Sequence, residues 1–174
     1  ECRHGAGSTR ITGSAAGIEA SLMYFVPPAP AEETCPCEVW VLTVRNTGRK
    51  PRRLRAFSYV EFGYWDTLVD QLNLDWGQHI VEAGVEDGIV RAKTRFRPTT
   101  TFFASNAKLA GFATDREVFV GVGRDLSNPR VVEEGKPRNS EAARGNTIGS
   151  LCHDLRLAPG QEKQIVFVQG VTDE

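Results

Sequence analysis

The sequence predicts an all-β, antiparallel two-sheet sandwich. Three observations carry that expectation: period-two hydrophobic alternation dominates, turn chemistry recurs every ten or so residues, and no stretch shows a capped helix with a 3.6-residue period. The 174 residues match the usual size of one domain, roughly 100–200 residues. A chain of this length buries about 70% of its extended-chain surface and needs no disulfide or metal staple.

In Gly17–Val26 the even positions from Ile18 onward are mainly apolar, and the run stops at Pro27-Pro28-Ala29-Pro30, which cannot continue a central ladder. Glu38–Arg45 is apolar on both faces in its middle, the pattern of a central strand. Asn46-Thr47-Gly48 follows as a turn, since Asn and Gly tolerate positive φ. A long strand runs from Arg52 to about Trp65, with Leu54, Ala56, Val60 and Phe62 on one face and Arg53, Arg55, Phe57, Tyr59 and Glu61 on the other.

His79–Val85 and Ile89–Arg95 flank Asp87-Gly88, the strongest short hairpin signal in the chain. Thr100–Ser105 and Arg116–Val122 read as further strands, with Gly121-Val122-Gly123 as a bulge inside the second. Thr147–Leu157 and Lys163–Gln169 read as a strand pair across Ala158-Pro159-Gly160, and Asp125–Asn146 as a connecting loop. About nine strands call for two packed sheets, with no repeats and no internal boundary, so residues 1–174 are expected to form one sandwich domain.

Composition excludes several function classes. The 21 basic and 22 acidic residues leave a net charge of −1, without the broad basic footprint of a nucleic-acid binder. No apolar run approaches the ~18 residues of a membrane span, and the opening Glu1-Cys2-Arg3-His4 is no signal peptide. No initiator Met is present, which fits a chain that begins inside a longer one or has been processed. Cysteines at 2, 35, 37 and 152 are sparse and unevenly spaced. Cys35-Pro36-Cys37 is too tight for a C-x₂-C knuckle, so a reduced, cytoplasmic protein without metal or cofactor is expected. The histidines at 4, 79 and 153 form no ligand pair, and the excess of arginine over lysine is the mark of a GC-rich genome.

Motifs for nucleophilic or phosphate chemistry are absent: no G-x-S-x-G elbow, no Walker or dinucleotide glycine pattern. Glu61, Asp66, Asp70 and Asp75 could pass for a catalytic carboxylate pair, but carboxylates in such segments are mostly solvated turn residues. The segment Trp65–His79 is different. It mixes two tryptophans with Asp, Asn, Gln and His, the aromatic faces and planar hydrogen-bonding groups that recognise sugars. The plain alternative is a connecting loop that Trp65 and Trp76 anchor to the core.

Several stretches spread in order along the chain carry a resemblance. They are Glu1-Cys2-Arg3-His4-Gly5, Gly17-Ile18-Glu19, Tyr24-Phe25-Val26-Pro27, Glu38-Val39-Trp40 and Val44-Arg45-Asn46-Thr47. Beyond these come Arg52-Arg53-Leu54, Ser58-Tyr59-Val60-Glu61-Phe62, Phe112-Ala113-Thr114-Asp115-Arg116-Glu117 and Leu157-Ala158-Pro159-Gly160. Together they resemble the N-terminal β-sandwich domain of glycoside hydrolase family 94, which contains the cellobiose, cellodextrin and chitobiose phosphorylases and relatives among cyclic β-1,2-glucan synthases.

The resemblance implies a galactose-mutarotase-like supersandwich and a non-catalytic role within a β-glycoside phosphorylase. In that family the catalytic aspartate sits in an (α/α)₆ barrel that follows the sandwich, and inorganic phosphate, a co-substrate, attacks the anomeric carbon with inversion. The implied partners are that barrel, a second subunit of a homodimer and an oligosaccharide, with no nucleic acid or membrane. In family phosphorylases the loop after the Ser-Tyr-Val-Glu-Phe strand reaches the neighbouring subunit's active-site mouth on the sugar-acceptor side. Asp66, Asp70, Asn73, Asp75 and Trp76 fall at or near its contacting positions. Family members typically read Trp-Asn-Ala, then Asp-Asp-Met-Thr-Asn-Phe-Gln-Arg. This chain has Asp66 for the first Asn, keeps Asp70 and Asn73, and has Asp75-Trp76 in place of Gln-Arg. It thereby exchanges a five-donor guanidinium fork for an indole that offers stacking. Gly5-Ala6-Gly7-Ser8 departs from the family's Gly-Leu-Gly-Tyr in the same way. A free-standing carbohydrate-binding module is the alternative function, and a mutarotase-like epimerase using His79 or His153 ranks behind it, since fold alone does not license activity.

Overall fold

Two antiparallel sheets form the protein, seen in a computed structural model that describes residues 1–28, 37–63, 72, 80–94, 96 and 98–173. Chain order gives β1 (Cys2–Gly5), β2 (Ser8–Ala15), β3 (Ile18–Phe25), β4 (Cys37–Asn46), β5 (Arg52–Phe57), β6 (Val60–Glu61), β7 (Val81–Glu86), β8 (Ile89–Thr94), β9 (Thr99–Ser105) and β10 (Gly111–Asp115). Two short helices follow, α1 (Arg116–Val120) and α2 (Arg130–Glu134), then β11 (Thr147–Leu157) and β12 (Glu162–Asp173). The large sheet runs β1-β2-β3-β4-β12-β9-β8-β7; the small one runs β10-β11-β5, with β6 also on β11.

The small sheet covers only part of the large one. Val44, Val90, Phe103, Ile165 and Phe167 of the large sheet meet Leu151, Leu155 and Leu157 of β11, with Leu54, Ala56, Val60 and Phe62 packed against them. The period-two reading of residues 54–62 is therefore borne out. Phe57 and Tyr59, on the opposite face, pack instead on Ala113, Phe119, Val120, Val131 and Ile148. β4 lies between β3 and β12, as expected of a strand apolar on both faces. Asp87 and Gly88 both take positive φ, 51° and 80°, which is the backbone a two-residue hairpin turn demands.

Several features depart from the expectations. Residues 2–15 form the β1–β2 hairpin; their polar alternation of Thr, Arg and Ser carries little hydrophobic signal. The strand from Arg52 is interrupted after Phe57, where the Ser58 hydroxyl takes the place of a backbone acceptor for Leu151 N at 2.9 Å, while β6 continues the same register on β11.

Arg116–Val120 is a helix rather than a strand. Asp115 caps it by accepting from Val118 N at 3.1 Å, and Phe119 is drawn in against Phe57 and Tyr59, which outweighs the β-propensity of its two valines. Gly121, with φ 92°, is its C-cap and no bulge. The stretch read as a loop, 125–146, contains α2, closed by Gly135 in the left-handed region.

β11 and β12 form as expected but do not pair with each other: β11 belongs to the small sheet and β12 to the large one. Asn46, fully buried, holds that corner. Its side-chain amide donates to Leu157 O at 3.1 Å and Lys50 O at 2.9 Å, and its backbone bonds both Gln161 O and Gly160 N at 2.9 Å. The role of Asn46 is thus to satisfy buried backbone groups where the chain changes sheets, not to supply a positive φ.

Candidate functional site

Asp66, Asp70, Asn73, Asp75 and Trp76 lie outside the described residues, as do Trp65 and His79. The strands on either side of them are described. The chain leaves the small sheet at Glu61 and joins the large sheet at Val81.

At the departure point, Glu61 Oε1 accepts from Arg116 Nε at 3.0 Å and from the Tyr59 hydroxyl. Burial, reinforced by the neighbouring carboxylate, drives the Tyr59 phenol well above its ordinary pKa, so it remains a donor across the physiological range. Its ring lies 5.4 Å from that of Phe119. Glu61, a candidate catalytic carboxylate by sequence, is here an anchor. It ties β6 to α1 through a cation and a phenol.

At the arrival point, β7 is the edge of the large sheet, and it is stitched to the small sheet. Ala83 and Ala142 exchange backbone hydrogen bonds of 2.7 and 3.0 Å. The buried Thr114 hydroxyl donates to Ala83 O at 2.8 Å and accepts from Ala142 N at 2.9 Å. Beside this junction is a cleft of about 420 Å³ whose charged lining is Glu82, Glu86, Glu141, Arg91 and Lys93. Glu86 pairs with Arg91 at 3.5 Å.

Among the described residues, the buried reactive side chains His153 and Cys152 sit in structural settings. His153 is buried between Ser105 Oγ at 3.1 Å and Lys108 O at 3.0 Å, and burial lowers its pKa. A neutral ring whose Nδ1 faces a carbonyl must donate there, which leaves Nε2 to accept from Ser105. Both of these partners are uncharged, a hydroxyl and a backbone carbonyl. Cys152 is buried and its thiol pKa is pushed up to about 11 by desolvation, the opposite of an activated nucleophile. Cys2 is exposed, 3.7 Å from His4 Nε2. No cluster of three or more metal-ligating side chains occurs among the described residues.

Sequence reasoning missed two kinds of residue. Thr114 and Asn46 knit the sheets together through contacts with residues far along the chain, which no local pattern reveals. Arg49–Arg55 was hidden by a net charge close to zero, although five of its seven residues are basic. Local charge clustering, rather than the total, was the available signal.

Among the described residues no helix is long and apolar enough to cross a membrane. Comparison with known proteins gives a consistent picture. A solabiose phosphorylase from Paenibacillus borealis is 31% identical over 99% of this chain and 22% of its own length. An N,N'-diacetylchitobiose phosphorylase from Vibrio proteolyticus is 26% identical over 98% of this chain and 21% of its own. The chain therefore spans about a fifth of these curated relatives. Among solved structures, an Escherichia coli protein described as an aldose 1-epimerase superposes with a TM-score of 0.53 at 10% identity, covering 100% of this chain and 68% of that one, a likeness of fold alone. The sequence profile of the glycosyl hydrolase 94 supersandwich domain matches residues 1–174, and the chain belongs to that family.

Proposed function

We propose that the chain works as the accessory sandwich of a β-glycoside phosphorylase. It supports a catalytic barrel, buries surface in a homodimer and lends residues 65–79 to the sugar-acceptor side of the partner subunit's site. The observation that carries this reading is the full-length family match combined with coverage of only a fifth of each phosphorylase relative. The chemistry, phosphorolysis with inorganic phosphate as co-substrate and no cofactor, belongs on this reading to the remainder of the parent protein.

The outer face of the large sheet adds support. Cross-strand register aligns Met23, Val41 and Val166 in one row and Phe25, Val39, Val168 and Ala104 in the next, on the face turned away from the small sheet. Seven neighbouring apolar side chains on the side remote from the core fit a surface that docks another domain.

An antibody against the chain, used on lysate of the source cells, checks the reading. A band several times heavier than 19.1 kDa is expected, and the protein in that band should release sugar 1-phosphate from a β-glucoside and inorganic phosphate. A native band at the mass of the chain itself overturns it in favour of a free-standing carbohydrate-binding module. Within the full-length enzyme, Trp76→Ala should raise the acceptor KM in the synthetic direction and leave donor binding almost unchanged. Unaltered acceptor kinetics would return Trp76 to an anchoring role.

A further inference from the structure

The small sheet presents two cross-strand charge pairs side by side, and only one is balanced. β5 and β11 place Arg55 opposite Asp154, and Arg53 opposite Arg156. Alternation turns Leu54 and Leu155 into the core, so these four charged residues share the outer face. Arg55 Nε meets Asp154 Oδ1 at 2.7 Å, and a second guanidinium nitrogen donates to Gly135 O at the end of α2.

Arg53 and Arg156 are both exposed, and neither takes part in an ion pair among the described residues. Like charges directly opposite each other destabilise a sheet, so this pair costs stability unless an anion joins it. Arg49 and Lys50, in the preceding turn, add to the positive potential. A cleft of about 530 Å³ opens here, lined by Arg53, Arg55, Asp154 and Arg156, with Phe57 and Val132 as the apolar side chains on the same outer face. Val132 is 43% exposed, an apolar side chain facing a cationic rim.

We propose that this cleft is an oxyanion site. A phosphate or carboxylate group sits between the Arg53 and Arg156 guanidiniums, while Arg55, held by Asp154 and Gly135, keeps the third wall in place. Planar guanidiniums match the oxygens of either group in a two-pronged arrangement. Phe57 and Val132 offer contact for the body of a small organic anion, beyond what a free ion would use. This inference stands on the cleft and not on the phosphorylase reading.

The test is a titration of the 174-residue chain followed by amide and arginine side-chain NMR shifts, with inorganic phosphate, glucose 1-phosphate and glucuronate as probes and glucose as the neutral control. Saturable shifts centred on Arg53 and Arg156 are expected with the anions and not with glucose. Arg53→Gln and Arg156→Gln should each weaken binding about tenfold or more, the usual cost of losing a hydrogen bond to a charged group. Without ligand the same variants should melt at or above the wild-type temperature, because they remove a repulsion. With saturating anion the order should reverse.

Tighter binding of glucose 1-phosphate than of phosphate supports a sugar phosphate as the ligand, and tighter glucuronate a sugar acid. Equal affinity for all three supports a site for the oxyanion alone. Shifts that are absent with every anion, that glucose reproduces, or that survive both glutamine variants overturn the proposal.

Discussion

The two halves of the large sheet share one hydrogen-bonded ladder but differ in what covers them. One cross-strand row makes the contrast plain: Ile11, Leu22, Leu42 and Ile165 align from β2 to β12, and exposure falls from 43% at Ile11 to 2% at Ile165. Another row runs His4, Thr9, Tyr24, Trp40, Phe167, from an exposed histidine to a phenylalanine that stacks on Phe103 at 5.6 Å. The β12–β9–β8 half lies under β11 and β5, whereas β1 is exposed along its length. Backbone pairing alone is therefore a poor guide to local stability. Burial of apolar surface separates the two halves, at about 25 cal/mol per Å².

The sharpest way to break this comparison is a matched pair of truncations. Phe103→Ala removes a fully buried ring in contact with Trp40 and Phe167 and should cost about 3–5 kcal/mol in denaturant unfolding. Ile11→Ala, on the same face of the same sheet, should cost under about 1 kcal/mol because its side chain is already half in water. Equal losses would mean that the β1–β3 wing is covered in solution.

A second substitution probes the covered half from the opposite sheet. A Cβ at Gly149 would lie 2.8 Å from Val60 Cγ1 and 2.9 Å from Phe62 Cζ, so Gly149→Ala should cost about 1–3 kcal/mol through overpacking. A neutral result would show that the Val60 and Phe62 side chains can give way at this point.

Hydrogen exchange sharpens the contrast without mutation. Amides of β1 and β2 should exchange at lower opening free energies than those of β9 and β12. Uniform protection across the large sheet would contradict the comparison.

The smallest expected effect is a pH dependence confined to the covered half. His153 has its pKa lowered by burial, so between the folded value and the ordinary 6.5 the unfolded chain binds the extra proton. Stability is then full above about pH 6.5 and declines as pH falls below it, and His153→Gln should flatten that decline. A profile of the variant that matches the wild type would assign the acid sensitivity to other groups.

Much of the covered half was legible in advance, because its signals are local. Period two in residues 54–62 assigned Leu54, Ala56, Val60 and Phe62 to the core and Phe57 and Tyr59 to the other face, and Asp87-Gly88 marked its hairpin. The wing was less legible: β3 showed alternation, while β1 and β2 carry little apolar pattern because little of them is buried. The five residues proposed for the sugar-acceptor side all lie in 65–79, outside the described residues, and that proposal rests on the family resemblance.

The sequence by itself determined the fold class, the order of most strands, their inward faces and the family. Each of these follows from side-chain period, turn chemistry or an ordered set of short motifs. Only the tertiary structure decided which sheet each strand joins, and it separated β11 from β12 across the Asn46 corner. It also turned Arg116–Val120 into a helix by giving Phe119 an aromatic bed, and it set Arg156 opposite Arg53 from the far end of the chain. Period and turn preference act over a few residues. Strand pairing and like-charge apposition join residues more than a hundred positions apart, and the packing of the whole chain chooses among the pairings that local preference allows.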